Sequence, residues 1–161
     1  MRTLREALEQ CRVLDLGPLP APRLAPSATV HQALPFLDRA RRGAVVVVEG
    51  IRPVGIFTER DVVRLLAGRD HASPEARAHT PLGEVMSHPP RTVRRQETLA
   101  QAVAAMVQGH YRHLVVVDRN GDLKGLLTSS DLVQFLTDRF PDDTVNLPPR
   151  LHQHYRRPEG A

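Results

Sequence analysis

The chain reads as a mixed α/β (α+β) protein made of two β-α-β-β-α units, and three observations carry that reading. Residues 54–64, VGIFTERDVVR, return in pattern as KGLLTSSDLVQ at 124–134, with Gly-apolar-apolar-Thr-x-x-Asp-apolar-Val in both and 70 residues between them. Each copy follows a short β-branched run of strand length, AVVVV at 44–48 and LVVV at 114–117. Each run follows a segment with apolar residues at helical spacing, opened by Thr29 or Thr98 as a cap. With the offset of 70 held over 44–66 and 114–136, eight of 23 positions are identical: Val45, Val46, Val47, Gly55, Thr58, Asp61, Val63 and Leu66. Upstream the offset is 69, which places a one-residue insertion between the first helix and the strand that follows it. Agreement at this density marks an internal duplication.

The elements follow in order. Residues 1–11 predict an N-terminal helix, with Thr3-x-x-Glu6 as its capping box. The lone Cys11 has no intrachain disulfide partner and reads as a small apolar side chain on that helix. The first unit, 12–67, comprises a short strand at 23–25 and a helix bearing Val30, Ala33, Leu34 and Leu37. The strand 44–48, the turn EGIRP, the strand VGIF and a helix from Thr58 complete it. Residues 68–81 are polar and aperiodic, a linker whose end, Thr80-Pro81-x-x-Glu84, opens the short helix LGEVM. The second unit, 82–140, repeats the plan with a strand at 91–93 and a helix bearing Leu99, Ala102, Val103 and Met106. Its turn, RNGD at 119–122, contains the Asn-Gly pair that favours a tight hairpin. Residues 141–161 form a Pro-rich basic tail without period, with Val145 and Leu147 as small apolar anchors.

Composition bounds the function. A chain of 161 residues, 41% hydrophobic and 25% charged, belongs to the soluble globular class and is long enough for a real core. No apolar run approaches the roughly 20 residues of a membrane span, and the N-terminus lacks a signal-peptide pattern. With a single cysteine, that points to the cytoplasm. The net charge of +4, carried almost wholly by arginine with Lys124 the sole lysine, suits an anionic partner. Only 4% of residues are aromatic and there is no Trp, which leaves a base-stacking platform poorly supplied. Without a helix-turn-helix pattern or a Lys/Arg stripe, nucleic-acid binding falls back on the tail cluster HQHYRRP, as a weak alternative. The pairs His152-x-His154 and His110-x-x-His113 have no Cys or acid spaced with them, so no metal is required. Neither Gly-x-Ser-x-Gly nor a Walker loop is present, and Asp142-Asp143 reads as loop charge; an enzyme is not expected.

The two units, each closing on Gly-h-h-Thr-x-x-Asp, resemble a tandem pair of CBS motifs, named after cystathionine β-synthase and also called a Bateman module. The wording GEVMSHPPRTV and YRHLVVVDRNGDLKGLLTSSDL strengthens the resemblance, which covers residues 12–140. It implies a disc-like module with two clefts related by a pseudo-twofold axis. Such clefts bind AMP, ADP, ATP or S-adenosylmethionine, and such modules pair face to face as homodimers. The implied role is an energy or metabolite sensor for a partner protein; no catalytic or transport pattern accompanies the pair, so that partner is expected elsewhere. The homodimer is expected through the helices after Asp61 and Asp131, using Val62, Leu65, Leu66, Leu132, Phe135 and Leu136.

The residues suit such a ligand physically. Backbone N–H groups at a strand-to-helix turn lack helical partners and favour an anion. Thr58 and Thr128 stand at those turns, and Asp61 and Asp131 in the first helical turn present carboxylates that match the cis hydroxyls of a ribose. Gly55 and Gly125 permit close approach of a flat base, with Ile56 and Leu126 as an apolar wall. Cations for phosphates are Arg42, Arg112 and His113 before the β-branched runs, and Arg60, with Arg41 in reserve. The counterpart of Arg60 is Ser130, so the two clefts differ. Val46 and Val116 stand where the family often has Pro, which leaves ligand preference open. The same Thr-x-x-Asp spacing is a helix cap that needs no ligand, and a structural dimerisation module with empty clefts is the corresponding alternative.

Overall fold

The computed structural model describes residues 3–39, 42–68 and 73–141. Arg41, Asp142, Asp143, Val145, Leu147, His152 and His154 lie outside the described residues. Two three-stranded sheets form, each with one parallel and one antiparallel pairing. In the first, β1 (Arg23–Leu24) pairs parallel with β2 (Ala44–Glu49), which pairs antiparallel with β3 (Arg52–Thr58). In the second, β4 (Thr92–Arg94), β5 (His113–Val117) and β6 (Leu123–Thr128) repeat that order. The helices α2 (Val30–Arg39) and α6 (Leu99–Gly109) cross between the parallel strands. α3 (Glu59–Leu66) and α7 (Ser129–Arg139) leave β3 and β6 at the Thr58 and Thr128 caps. This is the β-α-β-β-α plan expected from the repeat.

Strand register corrects the alignment of the repeat. Arg23 pairs with Val46 and Thr92 with Val115, so β2 and β5 are equivalent at an offset of 69, not 70. Burial says the same: Val45 and Val47 enter the first unit's core and Leu114 and Val116 the second's. Ala44, Val46, Val48, Val115 and Val117 line the seam between the sheets. A one-residue slip would turn every one of these side chains to the opposite face. The insertion therefore lies in the hairpin turn, not before the strand. Gly50–Ile51 connects β2 to β3, whereas Asp118 and Asp122 close a three-residue loop on Gly121, at φ +85. The Asn-Gly pair thus makes a three-residue turn with a left-handed glycine, and the Asp118 carboxylate accepts from Asn120 N and Asp122 N.

The units interlock by exchanging their leading segments. α1 (Leu4–Gln10) packs on α6, and Cys11 and Val13 enter the second unit's core beside Leu99 and Leu127. Conversely α5 (Leu82–Val85), which begins the second unit in sequence, buries Leu82 completely in the first unit's core beside Phe57. Paired backbone bonds mark both exchanges, Leu99 N to Cys11 O at 2.9 Å and Leu82 N to Ala28 O at 2.7 Å. Fully burying a leucine stabilises by about 1.5–3 kcal/mol, so the exchange welds the two sheets into one body.

The polar segment read as a linker contains a one-turn helix, α4 (Pro74–Ala78), capped by Ser73 with Pro74 in its first turn. Its Arg77 guanidinium donates to the carbonyls of Leu65, Leu66 and Gly68, closing the C-terminus of α3. A single turn is too short to write a helical period. The apolar face expected to form a dimer is largely turned inward: Val62 and Leu65 pack on the first core, and Leu132 and Phe135 on the second. Leu66 of that face stands exposed, as do Val63 and Val133 beside it. No helix among the described residues is long and apolar enough to cross a membrane.

Candidate functional site

Both strand-to-helix turns open into one cleft of about 1070 Å³ between the units. Thr58, Arg60 and Asp61 line it from the first unit, and Arg112, His113, Thr128 and Ser130 from the second, with Arg42 and Ile56 between them. These nine were expected there. Gly55, Gly125, Leu126 and Asp131 do not line it. A Cβ at Gly55 would lie 2.2 Å from Met86 Sδ, and one at Gly125 2.7 Å from the Leu19 carbonyl oxygen. The glycines make room for the exchanged segments of the chain itself; that close approach is internal. Leu126 is fully buried in the seam between the sheets.

The caps explain how the acids are aimed. Asp61 Oδ2 accepts from Thr58 N at 2.8 Å and Thr58 Oγ1 at 2.9 Å; Asp131 Oδ2 accepts from Thr128 N at 2.7 Å and Thr128 Oγ1 at 2.8 Å. One oxygen of each carboxylate thus closes its own helix. The other is left for a partner distant in sequence. Asp61 Oδ1 accepts from the Ser87 hydroxyl at 3.1 Å, with the exposed Arg64 guanidinium 3.6 Å away. Asp131 Oδ1 takes Arg42 Nη1 at 2.7 Å, and Arg42 Nη2 donates to the Leu126 carbonyl oxygen. The helix-cap reading and the ligand reading therefore use different oxygens.

His113 holds the base of this arrangement. Its Nε2 donates to the Arg42 carbonyl oxygen at 2.7 Å, and the ring lies against Gly43, whose φ is +63. Burial, which favours the neutral ring, pushes the His113 pKa down, partly opposed by the bond to that carbonyl. The mouth is basic, with Arg60, Arg64, Arg91 and Arg112 around it and Glu59 and Asp38 as counter-charges.

Sequence reasoning missed the segment Ser87–Arg91, Tyr111 and Ser129 as cleft residues. Ser87 is placed by reciprocal backbone bonds with Ile56, at 3.0 and 2.9 Å, which left no mark in composition. The 87–91 segment lay inside wording already singled out, but nothing in its residue types assigned it to the cleft. Among the described residues no group of three or more His, Cys, Asp and Glu side chains gathers to hold a metal ion.

Comparison with known proteins agrees with this architecture. The CBS domain family model matches residues 18–68 and 82–138. A 17.7 kDa protein of Acidianus ambivalens is 30% identical over 114 residues, 70% of this chain and 65% of that one. A protein of Methanopyrus kandleri, MK0525, is 38% identical over 93 residues, 57% of this chain and 45% of that one. The chain thus spans less than two thirds of these relatives. Among solved structures, the CBS domain protein PAE2072 of Pyrobaculum aerophilum, complexed with AMP, superposes with a TM-score of 0.66 at 29% identity. That likeness covers 75% of this chain and 89% of the other.

Proposed function

The chain belongs to the CBS-domain family, and from that premise we propose that it binds an adenosine-containing ligand in the cleft and acts as a sensor for a partner protein. One observation carries the reading: the outward Asp61 oxygen, the Ile56 wall, two helix N-termini and a basic mouth converge on a single cleft large enough for a nucleotide. The ribose hydroxyls would donate to Asp61 Oδ1 in place of Ser87, with adenine against Ile56. The phosphates would lie over Thr58–Arg60 and Ser129–Ser130 towards Arg112. The relative's AMP complex supports this ligand class. ADP, ATP and S-adenosylmethionine share the adenosine part and belong to the same test. The exposed Val63, Leu66 and Val133 favour a homodimer through α3 and α7 as the surface by which the signal leaves the module.

Titration calorimetry and thermal shift with AMP, ADP, ATP, S-adenosylmethionine and NADH test the reading. A ligand at one hundred times its Kd stabilises the native state by about 2.7 kcal/mol through mass action. Silence towards every adenosine compound at millimolar concentration would leave the structural dimerisation module. Tight DNA retention that survives about 0.2 M salt would favour nucleic acid instead.

A further inference from the structure

We infer that each chain holds one adenosine ligand, in the Asp61 half of the cleft, because its own Arg42 occupies the Asp131 half. This rests on the nucleotide reading above and adds to it the stoichiometry and the residue that sets it. By strand register the counterpart of Arg42 is Tyr111, since β2 and β5 align at an offset of 69. Matching backbone bonds confirm the pairing of the adjoining residues: Glu59 N meets Gly43 O, and Ser129 N meets Arg112 O. The two halves therefore differ at this position, which in the Asp131 half faces the opposite unit's carboxylate.

In the Asp131 half, that position places a guanidinium 2.7 Å from the outward carboxylate oxygen, with a second bond to the Leu126 carbonyl. Arg42 is 11% exposed, and its backbone is held by His113. The atoms that would receive a ribose diol are already bonded. The Leu126 side chain that would face adenine is fully buried. In the Asp61 half the counterpart is a tyrosine whose ring folds back on Gly109, so close that a Cβ there would sit 1.9 Å from Tyr111 Cε2. Among the described residues no bond joins Tyr111 to Asp61. The outward oxygen of Asp61 instead holds the neutral Ser87 hydroxyl, a weaker partner than a directly bonded guanidinium, with the exposed Arg64 standing off at 3.6 Å. Ile56, the counterpart of Leu126, lines the open cleft. Arg42 is thus a built-in competitor for one ribose site.

Titration calorimetry of the full chain with AMP and with ATP decides the matter. The expected stoichiometry is one per chain for the wild type and two for Arg42→Ala, returning to one in Arg42→Ala/Asp131→Asn. Where Arg42→Ala lowers the melting temperature enough to compromise folding, Arg42→Gln replaces it, keeping the length without the charge. A wild type that binds two nucleotides per chain overturns the inference and leaves the nucleotide reading standing. So does a folded Arg42 variant that still binds one. A wild type that binds none overturns the nucleotide reading, and the inference with it.

Discussion

Replacing Asp61 by Asn separates the two uses of its carboxylate. Oδ2 holds Thr58 N and Oγ1 at 2.8 and 2.9 Å, while Oδ1 holds only the Ser87 hydroxyl at 3.1 Å apart from a more distant arginine. An amide oxygen still accepts from Thr58 N, so the cap survives without its charge. Hydrogen bonds to charged groups contribute about 1.5–3 kcal/mol and neutral ones about 0.5–1.5, so the loss in stability is about 1 kcal/mol. That corresponds to a fall of about 2–4 °C in Tm for a chain of this size. The ligand loses more, because the outward acceptor that both ribose hydroxyls would use becomes an NH2 group, a donor without charge. Affinity falls at least about tenfold, the factor that 1.4 kcal/mol represents. The change acts on the sugar, so calorimetry should find the same factor for adenosine, AMP and ATP. It should also find that the wild type discriminates against 2′-deoxyadenosine monophosphate and that Asp61→Asn does not. An Asn variant with the expected loss in Tm but an AMP affinity within threefold of wild type would refute the assignment. A wild type indifferent to the 2′-hydroxyl would refute it equally.

Two further outcomes follow from the packing around the cleft. His113 has its folded pKa below the unfolded value of about 6.5, chiefly through burial, so the unfolded chain binds the extra proton. Its contribution is complete above about pH 6.5 and declines as acidification passes through the lowered folded pKa. The wild type should lose Tm between pH 7.5 and 5 more steeply than His113→Gln; parallel curves would show that burial does not shift this ring. Gly125→Ala drives a Cβ towards the Leu19 carbonyl oxygen, which is backbone and bonded to Leu126 N, whereas Gly55→Ala meets the flexible end of Met86. Urea unfolding should place Gly125→Ala at the upper end of the about 1–3 kcal/mol cost of overpacking and Gly55→Ala below it. The reverse order would contradict the packing.

Local chemistry was legible in the residues, and non-local partnership was not. The caps at Thr3, Thr98 and Thr128 write themselves as Thr-x-x-Glu, Thr-x-x-Gln and Thr-x-x-Asp, and all three close as boxes. The strand runs were equally plain, but a run of four valines matches itself at either of two offsets, so identity counting chose 70 where the faces require 69. Only the alternation of core and seam distinguishes them, and a strand covered on both faces shows no alternation in its residue types. The exchange of leading segments depends on backbone bonds between residues far apart in sequence, such as Leu99 with Cys11 and Leu82 with Ala28. Such bonds are blind to side chain. Arg42 was recognised as a cation of the cleft, yet its partner lies 89 residues away and on the opposite unit. Charge alone names no partner.

The duplication explains why one residue can decide the use of a whole half-site. Each aspartate gives one oxygen to its own helix, where it accepts from the backbone N–H and the hydroxyl of the capping threonine. That leaves a single oxygen for anything else, and the pseudo-symmetry presents it to the residue just before the opposite unit's β-branched strand. A guanidinium there converts the oxygen into part of the protein's own seam, tying β6 to the loop after α2. A tyrosine there leaves it on the cleft, held by the Ser87 hydroxyl and the exposed, more distant Arg64. Internal cohesion and ligand capture are therefore alternative uses of the same atom, and a duplicated chain can assign one to each half. Arg42 and Tyr111 make that assignment, while Gly43 and His113, beside them on the strand entry, fix the backbone that points the guanidinium across the seam.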